Sequence, residues 1–288
     1  VKGRIIKHIS NQYTVLLEDD RIVPCVGMGK MRLGKTLVCG DFVEVTEYEH
    51  QNGIEKLLPR KNYLIRPPIA NVDQALIVMS VVEPGFSSTL VDQLIFLISM
   101  EKIEPVLVIT KMDLIDYDID EIIQDYQNGG YRVIVTGNNI DNEELIAVLK
   151  NKVSVLTGQS GVGKSSLLNR LNPNFSIATQ EISKALGRGK HTTRHTQLLS
   201  VADGWVADTP GFSKLDYSTV DKWALRENIR DFQKDQEDCR FRDCMHRNEP
   251  DCAVKKAVEE SRISKIRYEH YLDCLKMIEE EGVVEWLK

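Results

Sequence analysis

Nine consecutive residues carry the densest chemical signal in the chain: Gly158, Gln159, Ser160, Gly161, Val162, Gly163, Lys164, Ser165 and Ser166. They follow an apolar run, VSVLT, and open a helical pattern at Lys164, which is the strand, loop and helix context that phosphate binding requires. Glycines let backbone N–H groups close around a phosphate, and the helix N-terminus adds a favourable dipole. Lys164 reaches β- and γ-phosphate oxygens, and Ser165 offers its hydroxyl to Mg²⁺.

A second element, Asp208-Thr209-Pro210-Gly211, ends a later strand. There a P-loop NTPase places the carboxylate that holds Mg²⁺ through water, and the glycine whose N–H meets the γ-phosphate. Paired with the phosphate loop it marks the GTPase branch rather than the kinase branch. Between the two lies GRGKHTTRH, Gly187–His195, whose Thr192 or Thr193 is placed to complete the Mg²⁺ shell as switch I. Base selection requires a carboxylate that accepts from both N1 and N2 of guanine, a donor pair adenine lacks. Thr110-Lys111-Met112-Asp113, at the end of the strand EPVLVITK, supplies it. Thr110 stands where such elements ordinarily have Asn, whereas Asp113 keeps the discriminating group. The backbone contact to guanine O6 is expected near Thr136–Asn138.

These elements come in an unusual order, base-reading before phosphate-binding. In a parallel sheet all such loops sit at the carboxyl ends of strands, so cutting and rejoining the chain preserves the site if strand neighbours are kept. The sequence therefore predicts a circularly permuted P-loop GTPase whose DTPG switch leads straight into the C-terminal segment. A small-molecule kinase or ATPase is the competing enzyme class, and the Lys-x-Asp element argues against it.

A fourth constellation is Cys239-x₄-Cys244-x-His246-x₅-Cys252. Three thiolates and one imidazole close a tetrahedral structural zinc site with no open position. Arg240, Arg242 and Arg247 interleave with the ligands around Phe241, a set suited to phosphate contact and stacking on RNA. Cys25, Cys39 and Cys274 are scattered, which suits a reducing, cytoplasmic compartment.

The elements that must position these groups fall into three stretches. Short β-rich runs from Gly3 to about Leu58 predict a small all-β barrel, followed by an Arg- and Pro-rich linker over Pro59–Pro68. From Gln74 apolar strands alternate with helices starting near Thr89, Asp118, Asn142 and Lys164, the rhythm of a mostly parallel sheet. Beyond Tyr217 the chain is helical and polar, ending in one long helix from roughly Ala253 to Glu281. The expected division is 1–66, 67–216 and 217–288. Net charge is −6, which excludes a chain that coats nucleic acid by charge alone, although residues 1–70 carry an excess of Lys and Arg. No apolar run reaches the ~20 residues of a membrane span. A monomer is the default expectation.

The barrel, the permuted TKMD, GQSGVGKSS and DTPG set, and the C-x₄-C-x-H-x₅-C spacing together resemble the RsgA (YjeQ/YloQ) family of bacterial GTPases. The resemblance covers essentially the whole chain. It implies an N-terminal OB-fold, a central α/β permuted GTPase domain and a C-terminal helical zinc-binding domain. It further implies GTP/GDP as ligand, and the 30S ribosomal subunit with its 16S rRNA as partner during late maturation. Another ribosomal or RNA target is the alternative. Phe212 follows the DTPG element, where many GTPases have the Gln that orients the attacking water, so slow hydrolysis accelerated by the partner is expected. Lys30, Arg32 and Lys35, in the basic loop Gly27–Lys35, are the expected RNA contacts of the barrel.

Overall fold

The computed structural model describes residues 1–28, 36–65, 68–172, 196–210, 217 and 220–285. The chain divides into two compact units, one formed by residues 1–76 and 141–213, the other by residues 77–140 and 214–288.

The first unit begins with five strands, β1 (Lys2–Ile9), β2 (Gln12–Leu17), β3 (Ile22–Gly27), β4 (Phe42–Glu47) and β5 (Asn52–Leu57). Their order is β1-β2-β3-β5-β4, and β4 pairs back onto β1, so the sheet closes into the expected barrel. Alternation puts Ile5, Val15, Leu17, Cys25, Val43, Val45 and Ile54 inside, each fully buried aliphatic contributing on the order of 1.5–3 kcal/mol. The Arg/Pro-rich linker is fastened to this barrel. Arg60 grips the fully buried carboxylate of Asp41 at 2.6 and 2.8 Å, and Asn71 donates to Gly40 O at 2.9 Å. Within the linker β6 (Tyr63–Ile65) pairs with β7 (Pro68–Ala70).

The same unit holds α3 (Glu143–Leu149), β11 (Val153–Thr157), α4 (Lys164–Leu171), β12 (Thr196–Val201) and β13 (Gly204–Pro210). β13 runs parallel to β11, with Val153 opposite Trp205. β12 pairs antiparallel with β13 on one side and with the barrel's β1 on the other, Lys7 opposite Gln197. Gln74 knits this part together, its amide donating to Val148 O at 2.8 Å and Ser154 Oγ at 3.0 Å.

In the second unit the strand order is β10 (Arg132–Val135), β9 (Glu104–Thr110), β8 (Gln74–Ser80), with β10 and β9 parallel. β8 starts in the first unit and is buried along its whole length, as a strand covered on both faces must be. Helices α1 (Ser88–Met100) and α2 (Asp120–Asn128) belong here, as do α5 (Lys222–Glu227), α6 (Ala253–Glu259) and α7 (Lys265–Glu285). The single long terminal helix expected from sequence is two helices. Ser261 takes a left-handed φ of 58°, Arg262 N–H returns to Ala257 O at 2.9 Å, and Ser264 Oγ accepts from Arg267 N–H to start the second helix. Ser, a weak helix former that competes for backbone bonds, supplies both break and cap. Among the described residues no helix is long and apolar enough to cross a membrane.

Candidate nucleotide site and Cys3His cluster

The phosphate loop lies in the first unit. It leaves β11 at Thr157 and enters α4 at Lys164, with Gly158, Gly161 and Gly163 at φ 132°, 85° and 93°. A Cβ would strain all three, so glycine is what lets the backbone curl into a concavity of N–H groups. Val162 is fully buried and anchors the loop to the core. Lys164 Nζ donates to the loop's own carbonyls, Gly158 O at 2.7 Å and Gln159 O at 2.6 Å. Burial holds its pKa below the ordinary lysine value, so a neighbouring anion would be stabilised and would stabilise it in turn. Ser165 and Ser166 stand exposed in the first turn of α4, as do Gln159 and Ser160 in the loop. Asp208 lies near the carboxyl end of β13, which runs parallel to β11 and so ends on the side where the phosphate loop begins. Thr192, Thr193, Gly211 and Phe212 lie outside the described residues, as do Lys30, Arg32 and Lys35.

The Lys-x-Asp element lies in the second unit. Thr110 closes β9, buried, with Oγ1 donating to Met79 O at 3.2 Å; the position ordinarily held by Asn is used here to tie β9 to β8. Lys111 turns the chain at φ 62°, and its ammonium binds Val82 O at 2.9 Å and Glu83 O at 2.5 Å. Met112–Leu114 form one turn of 3-10 helix. The Thr136–Asn138 stretch after β10 joins this element. Met112 N–H reaches Thr136 O at 3.3 Å, and Asp113 receives Asn138 N–H on Oδ1 at 3.1 Å and Asn138 Nδ2 on Oδ2 at 2.8 Å.

The four donors of the C-terminal cluster come together as their spacing predicts. One ligand atom from each of Cys239, Cys244, His246 and Cys252 lies within 4.8 Å of the others. Cys239 Sγ is 3.9 Å from Cys252 Sγ, and His246 Nδ1 is 3.6 Å from Cys239 Sγ and 3.4 Å from Cys252 Sγ. A tetrahedral centre with thiolate and imidazole bond lengths has S–S edges of about 3.8 Å and S–N edges of about 3.6 Å, so the donor set fits a metal ion. Burial first, with the neighbouring Cys252 and Cys239 adding to it, pushes the Cys244 thiol up to about 12, and burial, aided by the charge of Arg226, pushes the His246 imidazole down to about 4; a cation is what would draw the thiols to thiolate. Helices of the same unit brace the cluster from outside. Tyr268 OH donates to His246 O at 2.6 Å, Tyr271 OH to Met245 O at 2.8 Å, and Arg226 Nε to Cys244 O at 2.8 Å.

The family model described as RsgA GTPase matches residues 57–218. The small ribosomal subunit biogenesis GTPase RsgA of Bacillus subtilis is 43% identical over 97% of this chain and 98% of its own length. Its counterpart RsgA 2 of Oceanobacillus iheyensis is 46% identical over 96% and 97%. This chain belongs to the RsgA GTPase family. Among solved structures, YloQ, described as a circularly permuted GTPase, matches with a TM-score of 0.84 at 38% identity, covering 98% of this chain and 96% of its own. YjeQ from Thermotoga maritima matches at 0.83 and 37%, covering 96% and 98%.

In this RsgA-family chain one polar centre escaped the sequence reading. Arg267, only 1% exposed, binds Asp92 Oδ1 at 3.2 Å and Asp125 Oδ2 at 2.8 Å, closes on Asp231 Oδ2, and lies over the ring of Tyr126 at 4.5 Å. His270 Nδ1 adds a 2.6 Å contact to Asp92 Oδ2. The cluster joins α1, α2, the turn Arg230–Phe232 and α7, so the C-terminal helix packs on the helices that flank the Lys-x-Asp element. The available signal was Asp92, a carboxylate set inside the apolar run of α1.

Proposed function

We propose that this chain is a GTP hydrolase that binds the 30S ribosomal subunit and its 16S rRNA, assists late maturation, and turns over slowly alone and faster on the subunit. The observation that carries this reading is the end-to-end match to proteins named small ribosomal subunit biogenesis GTPase, together with a phosphate loop and a Lys-x-Asp element built from the residues such a site requires. Gly158–Ser166 and Lys164 hold the phosphates. Ser165, and Asp208 through water, hold Mg²⁺, whose shell Thr192 or Thr193 completes, while Gly211 meets the γ-phosphate. Mg²⁺ supplies charge neutralisation on the phosphate oxygens. Asp113 accepts from guanine N1 and N2, framed by Thr110, Lys111 and Met112. Cys239, Cys244, His246 and Cys252 hold one structural Zn²⁺, supported by the tetrahedral edge lengths.

The functional division is an OB-fold RNA-binding domain over 1–66, the permuted GTPase domain over 67–216 and the zinc-binding helical domain over 217–288, acting as a cytoplasmic monomer. Phe212 cannot hold a water by hydrogen bonding, which supports a slow intrinsic rate that the subunit raises. Steady-state hydrolysis of GTP and ATP, alone and with purified 30S or 50S subunits, tests the proposal, with Lys164→Ala as control. The expected result is GTP-only turnover that rises with 30S and disappears in the variant. A rate that is the same with and without 30S removes the ribosomal assignment, and equal use of ATP removes the guanine assignment.

A further inference from the structure

The barrel is joined to the sheet of the phosphate loop by main-chain pairing. β12 is the last strand of that sheet, with β13 on its inner side and the barrel's β1 on its outer side. Lys7 stands opposite Gln197 and His8 opposite Thr196. The register between β12 and β13 begins only at Leu198, opposite Ala207. Among the described pairings, then, the start of β12 is matched by the barrel rather than by the sheet it belongs to. Lys7 and His8 are matched on their other side by Thr14 and Tyr13 of β2, so the joint is part of the barrel wall and moves with it.

This joint touches both ends of the Mg²⁺ and γ-phosphate machinery in sequence. Thr196 directly follows His195, the last residue of GRGKHTTRH, and Ala207, opposite Leu198, directly precedes Asp208. Antiparallel strands are tied by backbone hydrogen bonds, so a shift of β1 reaches β12 through the main chain, with no side chain between them. We infer that β1 is a positioning element of the nucleotide site, and that nucleotide state and barrel are coupled through the pairs Lys7–Gln197 and His8–Thr196. The inference rests on the reading of GRGKHTTRH as switch I and of Asp208 as the Mg²⁺ carboxylate. It makes the barrel a regulator of that site as well as an RNA-binding domain, because coupling between two binding events is reciprocal. A γ-phosphate that alters the hold on β12 alters the barrel's hold on its own ligand by the same factor.

The test is hydrogen exchange of the full chain bound to Mg²⁺ and either GDP or a non-hydrolysable GTP analogue. Exchange of the Ile6–Ile9 amides should differ between the two states by about fivefold or more, while that of Ile22–Gly27 in β3, away from the joint, stays the same. Thr196→Pro and Gln197→Pro each remove one backbone donor from the joint. Of two adjacent antiparallel pairs, one exchanges both backbone bonds, so at least one of these variants should lose the difference in β1 while still binding both nucleotides. A wild-type chain that binds both nucleotides with the same β1 exchange overturns this inference alone, whether or not the proline variants fold. A difference that persists in both variants overturns the route through these pairs. A wild-type chain that binds neither nucleotide overturns the reading of the phosphate loop and this inference together.

Discussion

His270 illustrates how a single side chain in this protein is set by its neighbours. Its Nδ1 meets Asp92 Oδ2 at 2.6 Å and its Nε2 lies 3.0 Å from Thr89 Oγ1. The hydrogen bond to Asp92 raises its pKa above the ordinary histidine value, against a smaller opposing effect of burial, with Asp273 and Glu269 adding to the rise. A group whose pKa is higher folded than unfolded stabilises the fold fully below the unfolded value of about 6.5, and that contribution is lost as pH rises through the folded value. Thermal melting of wild type and His270→Gln should therefore differ most below about pH 6.5 and converge as pH rises through the raised folded value. A gap that widens with pH would mean that His270 is held neutral. Lys164 shows the opposite case: burial lowers its pKa, and the missing counter-charge is one a phosphate can supply.

At the scale of elements, α7 is held by a buried guanidinium as well as by apolar side chains, Tyr271 and Leu275 among them. Asp92 on α1 is 1% exposed and Asp231 on the preceding turn 3%; burial pushes the Asp231 carboxyl above its ordinary value against the pull of Arg267. Removing the cation leaves these carboxylates uncompensated, and breaking a buried pair in this way costs about 3–5 kcal/mol. Arg267→Met should lower stability in urea by that amount and speed hydrogen exchange in α1 and α7. Arg267→Lys should rescue little, because one ammonium cannot fork to Asp92, Asp125 and Asp231 together. A loss under about 1 kcal/mol would show that apolar packing alone docks the helix. The break over Glu260–Ser264 matters here, since Ser264 caps the helix three residues before Arg267 and fixes where the guanidinium enters.

At the scale of the whole molecule, the Cys3His cluster is where a short irregular segment is held without a large core of its own. Its outer fastenings among the described residues include hydrogen bonds from Tyr268, Tyr271 and Arg226 and an ion pair from Arg247 to Glu279 at 3.0 Å, polar contacts rather than a core, so its order should depend on the ion. Purified protein should contain one equivalent of zinc. Stripping it with a chelator should lower the melting temperature by about 5–10 °C and open residues 239–252 to protease, because metal binding to such a site is folding free energy. An unchanged melting temperature in metal-free protein would reduce the cluster to four adjacent side chains. Much of this protein was legible in its residues: the strand-loop-helix context of Gly158–Ser166, the alternation that builds the barrel, and the ligand spacing at Cys239–Cys252 are all local, and local pattern follows from backbone geometry and ligand chemistry. The tertiary structure alone decided the rest. Asn138 reaches Asp113 across 25 positions of sequence and Arg267 reaches Asp92 across 175, and neither pairing leaves a periodic trace. Such contacts are fixed by which elements the packed core brings together, a global minimum of burial and charge compensation that no short window of residues contains.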